Sequence, residues 1–321
     1  MRQIVVFSGS AHPDLAREIC QHLDMELSPS SIRRFSNDCL EAQLLANCRE
    51  RDIFIIQPLV PPVQEHLMEL LLMLDAARGA SASRTTAVIP YYAYARSDKK
   101  DAPRISIAGR LVADLLATAG AGRVLTMALH APQVHGFFSI PVDHLNAFGV
   151  LAEHFRGRDL ANTVVVSPDL GNAKSASQFA RLLGLPVAAG TKRRISDDRV
   201  VIEMIVGDVE GKNVIVMDDE IANGGTLVEV LDRLRERRVR RISVACTHGL
   251  FSGQAIERLV GQPDIDEIVT TSTVPLAPEK RLPNLRVLSV APLLAEAMRR
   301  IHEGESISSL FNESAHDPSF S

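Results

Sequence analysis

The residues with the clearest chemical potential are Asp218-Asp219-Glu220-Ile221-Ala222-Asn223-Gly224-Gly225-Thr226. Two adjacent carboxylates can accept hydrogen bonds from sugar hydroxyls or hold a divalent cation. Glycines let a backbone come close to an anion and admit positive φ. A turn that opens a helix offers N–H groups at the positive end of its dipole, where a phosphate fits. Acids and phosphate-binding turn together suit a sugar phosphate.

The flanking residues supply the elements this needs. Upstream, Asn213-Val214-Ile215-Val216-Met217 reads as a buried parallel strand, expected to end at the two acids. Downstream, Leu227, Val230, Leu231 and Leu234 recur at helical spacing, so a helix is expected to begin at Thr226. The plainer alternative is an ordinary strand–turn–helix with solvated acids. The carboxyl end of a strand is where open α/β sheets bind ligands.

Other clusters are weaker. Lys192-Arg193-Arg194 is expected near the start of a hairpin or flap, either solvated or closing over a polyphosphate. Pro90-Tyr91-Tyr92-Ala93-Tyr94-Ala95-Arg96-Ser97-Asp98-Lys99-Lys100 begins at a strand end, and joins rings that can stack a base to cations that can hold phosphate. A mixed-charge surface loop is its plain reading. Arg33-Arg34-Phe35-Ser36-Asn37-Asp38 sets an aromatic among cations and turn formers. His130 and Asp169 follow expected strands and could be metal or water-shell ligands, as could Asp143-His144; a hydrogen-bonded structural role is the alternative. No GxSxG, Walker A or paired Cys and His points to covalent catalysis or a P-loop.

Apolar runs alternate with helical patterns, which implies parallel sheets covered by helices. The runs at 4–7, 53–57, 86–90 and 124–127 recur in kind at 164–167, 214–217, 243–247 and 267–271. Nearly constant spacing between corresponding runs suggests a tandem duplication joined near Asn146, the alternative being chance spacing in a regular α/β chain. The second-strand end is acidic and glycine-rich only in the second half; the first has Pro58-Leu59-Val60-Pro61-Pro62.

Composition narrows the class. The chain has 321 residues, a length that suits two domains of about 150 residues each. A net charge of −4 gives no electrostatic case for a nucleic-acid partner. Cys20, Cys39, Cys48 and Cys246 form no CxxC, which argues against a disulfide framework or zinc site and for a reducing compartment. The N-terminus runs directly into a strand without a signal-peptide layout, and the most apolar helix, 67–77, is too short to span a bilayer. A soluble, cytoplasmic chain without membrane contact is expected.

Taken in order, several segments resemble ribose-phosphate pyrophosphokinase, also called phosphoribosyl pyrophosphate (PRPP) synthetase. They are Arg34-Phe35-Ser36, 68–75, 90–100, Leu129-His130-Ala131, Gly136-Phe137-Phe138, 140–144, Ser167-Pro168-Asp169, Lys192-Arg193-Arg194, 218–226, Cys246-Thr247-His248-Gly249 and 287–301. The resemblance implies an α/β chain of two tandem phosphoribosyltransferase-type domains, each a mostly parallel sheet flanked by helices. Residues 1–146 would carry the ATP-site loops, 147–302 the ribose 5-phosphate site and catalytic loop, and 303–321 a tail.

It further implies transfer of the pyrophosphoryl group of ATP to the C1 hydroxyl of ribose 5-phosphate, with Mg2+, giving PRPP and AMP. Ala222, Asn223, Gly224, Gly225 and Thr226 would cradle the 5-phosphate, and Asp218 and Asp219 the ribose hydroxyls. Lys192 and Arg194 would act on the pyrophosphoryl group. Arg96, Ser97, Asp98 and Lys99 would lie at ATP, as would Phe35, Asn37, Asp38 and Cys39 from a neighbouring subunit. His130 and Asp169 match metal positions. Homo-oligomers, dimers assembled into hexamers, are implied.

The chain departs from the family pattern at Asn37 and Cys39, where carboxylates are usual, and at Ser97, Lys99, Ala128, Ser139, Asn172 and Ala222-Asn223. Most departures fall on the nucleotide side. Two other readings are a paralogue with another nucleotide or sugar-phosphate specificity, and a non-catalytic regulatory partner of an active synthetase. A plain phosphoribosyltransferase would share the phosphate turn without needing the duplicated first half.

Overall fold

The computed structural model describes the backbone of residues 3–196 and 199–311, and among these the side chains of all but 192–196, 199–201 and 311. The chain forms two compact units. Among the described residues, unit 1 comprises 3–146, 273–275 and 290–311, and unit 2 comprises 147–196, 199–272 and 276–289.

Unit 1 begins with β1 (Ile4–Ser8), α1 (Pro13–His22), β2 (Ser30–Arg34), β3 (Leu40–Leu44) and β4 (Asp52–Ile56). It continues with α2 (Val63–Gly79), β5 (Arg84–Ile89), α3 (Ala108–Ala119), β6 (Arg123–Met127) and β7 (Val142–Leu145). Strands β1-β4-β5-β6-β7 form a parallel sheet in that order, and β2 and β3 form a separate antiparallel ribbon.

Unit 2 contains α4 (Phe148–Arg156), β8 (Thr163–Ser167), α5 (Ala173–Leu183), β9 (Val187–Ser196), β10 (Arg199–Val206), β11 (Asn213–Ile221) and α6 (Gly225–Glu236). After these come β12 (Arg241–Gly249), α7 (Ala255–Val260), β13 (Ile265–Thr271) and β14 (Leu285–Leu288). Its sheet runs β10-β9-β8-β11-β12-β13-β14, parallel except for the β9–β10 pair. The core order β8-β11-β12-β13-β14 repeats the order of unit 1. In both, an antiparallel ribbon follows the first strand and its helix.

The remaining helices are α8 (Ala291–Glu303) and α9 (Ser308–Phe311). Residues 147–302 were expected as one block, but α8 groups with unit 1. Its apolar stripe, including Leu294 and Met298, is fully buried, and it packs beside α1. Correspondingly, α4 follows the last strand of unit 1 and packs beside α5 in unit 2.

Strand alternation builds the cores. In unit 2, Val164, Val166, Val214 and Val216 face α6, meeting Leu227, Val230 and Leu231. The intervening Val165, Ile215 and Met217 face α4 and α5, meeting Leu151, Phe155 and Phe179. In unit 1, Phe7, Ile53 and Ile55 pack with Leu70, Met73 and Leu74 of α2 and Leu116 of α3. Sheets covered on both faces explain the nearly continuous apolar runs.

Candidate functional site

The β11 strand is longer than its apolar run. It continues through both acids to Ile221, with Asp218 opposite Cys246, Glu220 opposite His248 and Ile221 opposite Gly249 of β12. Acids have low strand propensity, but pairing with a neighbouring strand overrides it. The pair therefore lies within the rim of the sheet.

Asp218 and Asp219 are partly buried and close together. The Asp219 N–H donates to Asp218 Oδ1 at 2.9 Å. Asn172, in the turn between β8 and α5, donates Nδ2 to Asp218 Oδ1 at 3.2 Å and to the Met217 carbonyl at 3.3 Å. Burial pushes the Asp218 carboxyl well above its ordinary range, and the nearby charges of Asp219 and Asp169 push the same way. Asp169 is thus brought to the acid pair. Its Oδ1 accepts the Asn172 N–H at 2.9 Å. Asp218 thus feels two further carboxylates at neighbouring strand ends.

The 222–226 turn follows directly. Gly224 is the N-cap of α6 with φ 74°, a left-handed conformation that glycine adopts without a steric penalty. A turn that offers its N–H groups to an anion would leave them unpaired. One is not: Gly225 N–H donates to Asn223 Oδ1 at 3.0 Å. An Asn side chain reaches back to the backbone two residues on, so an arriving anion competes with it. The other side of the turn is anchored, since Ser252 N–H donates to the Ala222 carbonyl at 2.8 Å and Arg258 Nη1 to the Asn223 carbonyl at 2.8 Å. Arg258 carries no sequence signal of its own, because its position depends on how α7 packs beside the turn.

The turn after β1 in unit 1 corresponds to the 168–172 turn after β8 and is built differently. After β1, Ser10 N–H and Oγ donate to the Glu69 carboxylate at 2.5 and 2.6 Å, and Ala11 N–H donates to Gln57 Oε1 at 3.0 Å. Glu69 is only 1% exposed. This turn is therefore filled by the protein's own acid and amide.

The remaining expected site residues lie as follows. Lys192 and Arg194 lie within β9, with Lys192 opposite Ile202 and Arg194 opposite Val200 of β10; their side chains lie outside the described ones. The basic trio is thus in a strand of the hairpin. Phe35, Asn37, Asp38 and Cys39 form the exposed turn of the β2–β3 ribbon. There Asp38 has φ 70° and pairs with Arg34 at 2.5 Å, while Asn37 Oδ1 accepts the Cys39 N–H at 3.3 Å. Arg34 also pairs with Glu65 of α2 at 2.5 Å.

Arg96, Ser97, Asp98 and Lys99 follow β5. Ser97 Oγ accepts the Ala108 N–H at 3.0 Å, so this hydroxyl caps the start of α3. Asp98 accepts a hydrogen bond from Gln133, which ties this segment to the one after exposed His130. The Asp143-His144 pair has structural partners: Arg123 Nη1 lies 2.6 Å from Asp143, and His144 Nε2 accepts the Leu129 N–H at 2.8 Å. No helix among the described residues is long and apolar enough to cross a membrane.

Comparison with known proteins agrees along the chain. Residues 4–120 match the N-terminal domain of ribose phosphate pyrophosphokinase, and residues 195–312 the phosphoribosyl synthetase-associated domain. The sequence is 66% identical to a Streptomyces coelicolor protein provisionally named ribose-phosphate pyrophosphokinase, across 97% of this chain and 98% of that one. It is 51% identical to the ribose-phosphate pyrophosphokinase of Deinococcus radiodurans, across 96% and 98%. The crystal structure of phosphoribosylpyrophosphate synthetase from Mycobacterium smegmatis superposes with a TM-score of 0.88 at 40% identity, covering 94% of this chain and all of that one. With two parallel-sheet units in the expected order and near-complete likeness to these relatives, the chain belongs to the ribose-phosphate pyrophosphokinase family.

Proposed function

We propose that this protein is a ribose-phosphate diphosphokinase that transfers the pyrophosphoryl group of ATP to the C1 hydroxyl of ribose 5-phosphate, giving PRPP and AMP. The observation that carries this reading is the junction of β11 and α6. Two acids in the strand rim meet a glycine turn at a helix start, in a chain of this family.

In this reading the turn at 222–226 holds the 5-phosphate at the positive end of α6. Asp218 and Asp219 accept hydrogen bonds from the ribose hydroxyls. The sugar is thereby fixed at both ends, and its C1 hydroxyl is aligned for attack on the β-phosphorus. Lys192 and Arg194, on β9, stabilise the charge that spreads over the pyrophosphoryl oxygens. Arg96, Asp98 and Lys99 meet the ATP phosphates. Ser97, occupied as a cap, positions that segment. Phe35, Asn37, Asp38 and Cys39 reach the adenine of a neighbouring subunit in a dimer-based hexamer.

His130 and Asp169 are the metal positions that the family resemblance gives, and Mg2+ when bound would neutralise phosphate charge. A cytoplasmic setting goes with these substrates.

The test is release of nucleoside monophosphate from purified protein with ribose 5-phosphate, Mg2+ and ATP, GTP, CTP or UTP in turn. AMP formed only when ribose 5-phosphate is present supports the proposal. Product with a different nucleotide or sugar phosphate favours an altered specificity. No product, with altered kinetics of an added active synthetase, favours a regulatory partner.

A further inference from the structure

Arg258 lies beside the 222–226 turn, and no carboxylate among the described residues compensates its positive charge. Its Nη1 donates to the Asn223 carbonyl at 2.8 Å, and its Nη2 lies 3.5 Å from Gln254 Oε1. Both partners are neutral. A Cβ added at Gly225 would lie 3.4 Å from Nη1, so the guanidinium abuts the first residue of α6.

Several other arginines of unit 2 are neutralised. Arg233 pairs with Glu236 at 2.6 Å, Arg235 with Asp264 at 2.5 Å and Asp232 at 2.8 Å, and Arg158 with Glu267. Arg258 pairs with no carboxylate among the described residues. It is only partly exposed, and a guanidinium has N–H donors left after two such contacts. An arginine held at a helix start by a carbonyl, with charge and donors to spare, is arranged for a phosphate dianion.

We infer that Arg258 is a phosphate-binding residue of the ribose-phosphate site. It latches the turn through the Asn223 carbonyl and supplies the full positive charge that the helix end alone lacks. Selection for a phosphorylated sugar over the free sugar then rests on this side chain together with the turn. The inference builds on the proposed ribose 5-phosphate site and adds to it a cation from α7.

The experiment compares wild type with Arg258→Gln and Arg258→Lys. Steady-state kinetics are measured with ribose 5-phosphate and ATP at two salt concentrations, and calorimetry follows the binding of inorganic phosphate. Arg258→Gln should raise KM for ribose 5-phosphate roughly tenfold to a hundredfold. It should leave kcat within a few-fold and KM for ATP unchanged. Its KM should depend less on salt, because a charge has gone. Arg258→Lys should recover part of the affinity, keeping the charge without the fork.

An unchanged KM in Arg258→Gln overturns the inference. So does a parallel loss for both substrates with a lowered melting temperature, which marks a purely structural role. If wild type does not turn over ribose 5-phosphate yet binds phosphate, and Arg258→Gln loses that binding, the sugar reading fails and the anion role stands. If wild type binds neither, both fall.

Discussion

Asn172 Nδ2 lies 3.2 Å from Asp218 Oδ1, so a residue before α5 holds an acid in the rim of β11. The contact joins two adjacent strand ends that sequence order separates widely. It also gives the crowded carboxylates their amide donor.

Asn172→Asp should therefore be costly. It replaces a donor with another acid beside Asp218, whose carboxyl already feels the charges of Asp219 and Asp169. Stability in EDTA should fall by about 2 kcal/mol, since a partly buried carboxyl loses its amide donor. Mg2+ should restore more stability to this variant than to wild type. Chemical denaturation with and without the ion checks both statements, and equal curves would contradict them.

Arg84→Ala should loosen the return of α8 to unit 1. Asp52 is fully buried, and its Oδ2 is shared by Arg84 and by His302 Nδ1 at 2.8 Å, while its Oδ1 has no partner. Arg84 also donates to the His302 carbonyl at 2.9 Å. Removing the arginine strands a buried carboxylate and should cost about 3 kcal/mol. Hydrogen exchange should quicken across α8 before the central strands of the sheet. Unaltered stability would show that His302 alone satisfies Asp52.

Much of this architecture is legible in the sequence. The continuous run Val214-Ile215-Val216-Met217 shows a strand buried on both faces, and its alternate residues do split between two cores. Gly224 and Gly225 mark the turn because only local backbone geometry is involved. What is not legible depends on tertiary pairing. The strand continues through Asp218 to Ile221 because β12 offers partners. The ribbon of β2 and β3 carries only partly buried and exposed residues, so its apolar pattern is faint. Arg258 and Asn172 reach the site through packing of distant elements; Arg258 lies in no motif, and Asn172 stands out only as a departure from the family pattern. Asp143 and His144 look chemical in sequence, but their partners Arg123 and the Leu129 N–H give them a structural part.

The acid end of the stability profile should report Glu296. Arg299 above all, then Arg300, holds its carboxyl down at about 2, against an ordinary 4.5. A depressed acid contributes its stability fully above the unfolded value and loses it as pH falls through the folded one. Glu296→Gln should thus be less stable than wild type at neutral pH by about 0.5 kcal/mol, the scale of a solvent-screened ion pair. The gap should close between pH 4.5 and about 2. A gap independent of pH would assign the effect to packing.

Lys192→Ala should separate binding from chemistry. A charge that acts on the transferring group matters in the transition state, so kcat should drop roughly 100- to 1,000-fold. Affinity for ribose 5-phosphate, measured by calorimetry, should hardly move. Near-normal turnover would remove Lys192 from the catalytic part assigned to it.

The most direct measurement is a crystal structure with ribose 5-phosphate bound. The account predicts the phosphate on the backbone of residues 222–226, with Asn223 Oδ1 released from Gly225 N–H, Arg258 within hydrogen-bond reach, and Asp218 and Asp219 at the ribose hydroxyls. A sugar phosphate bound elsewhere, with this turn still closed on its own asparagine, would contradict it.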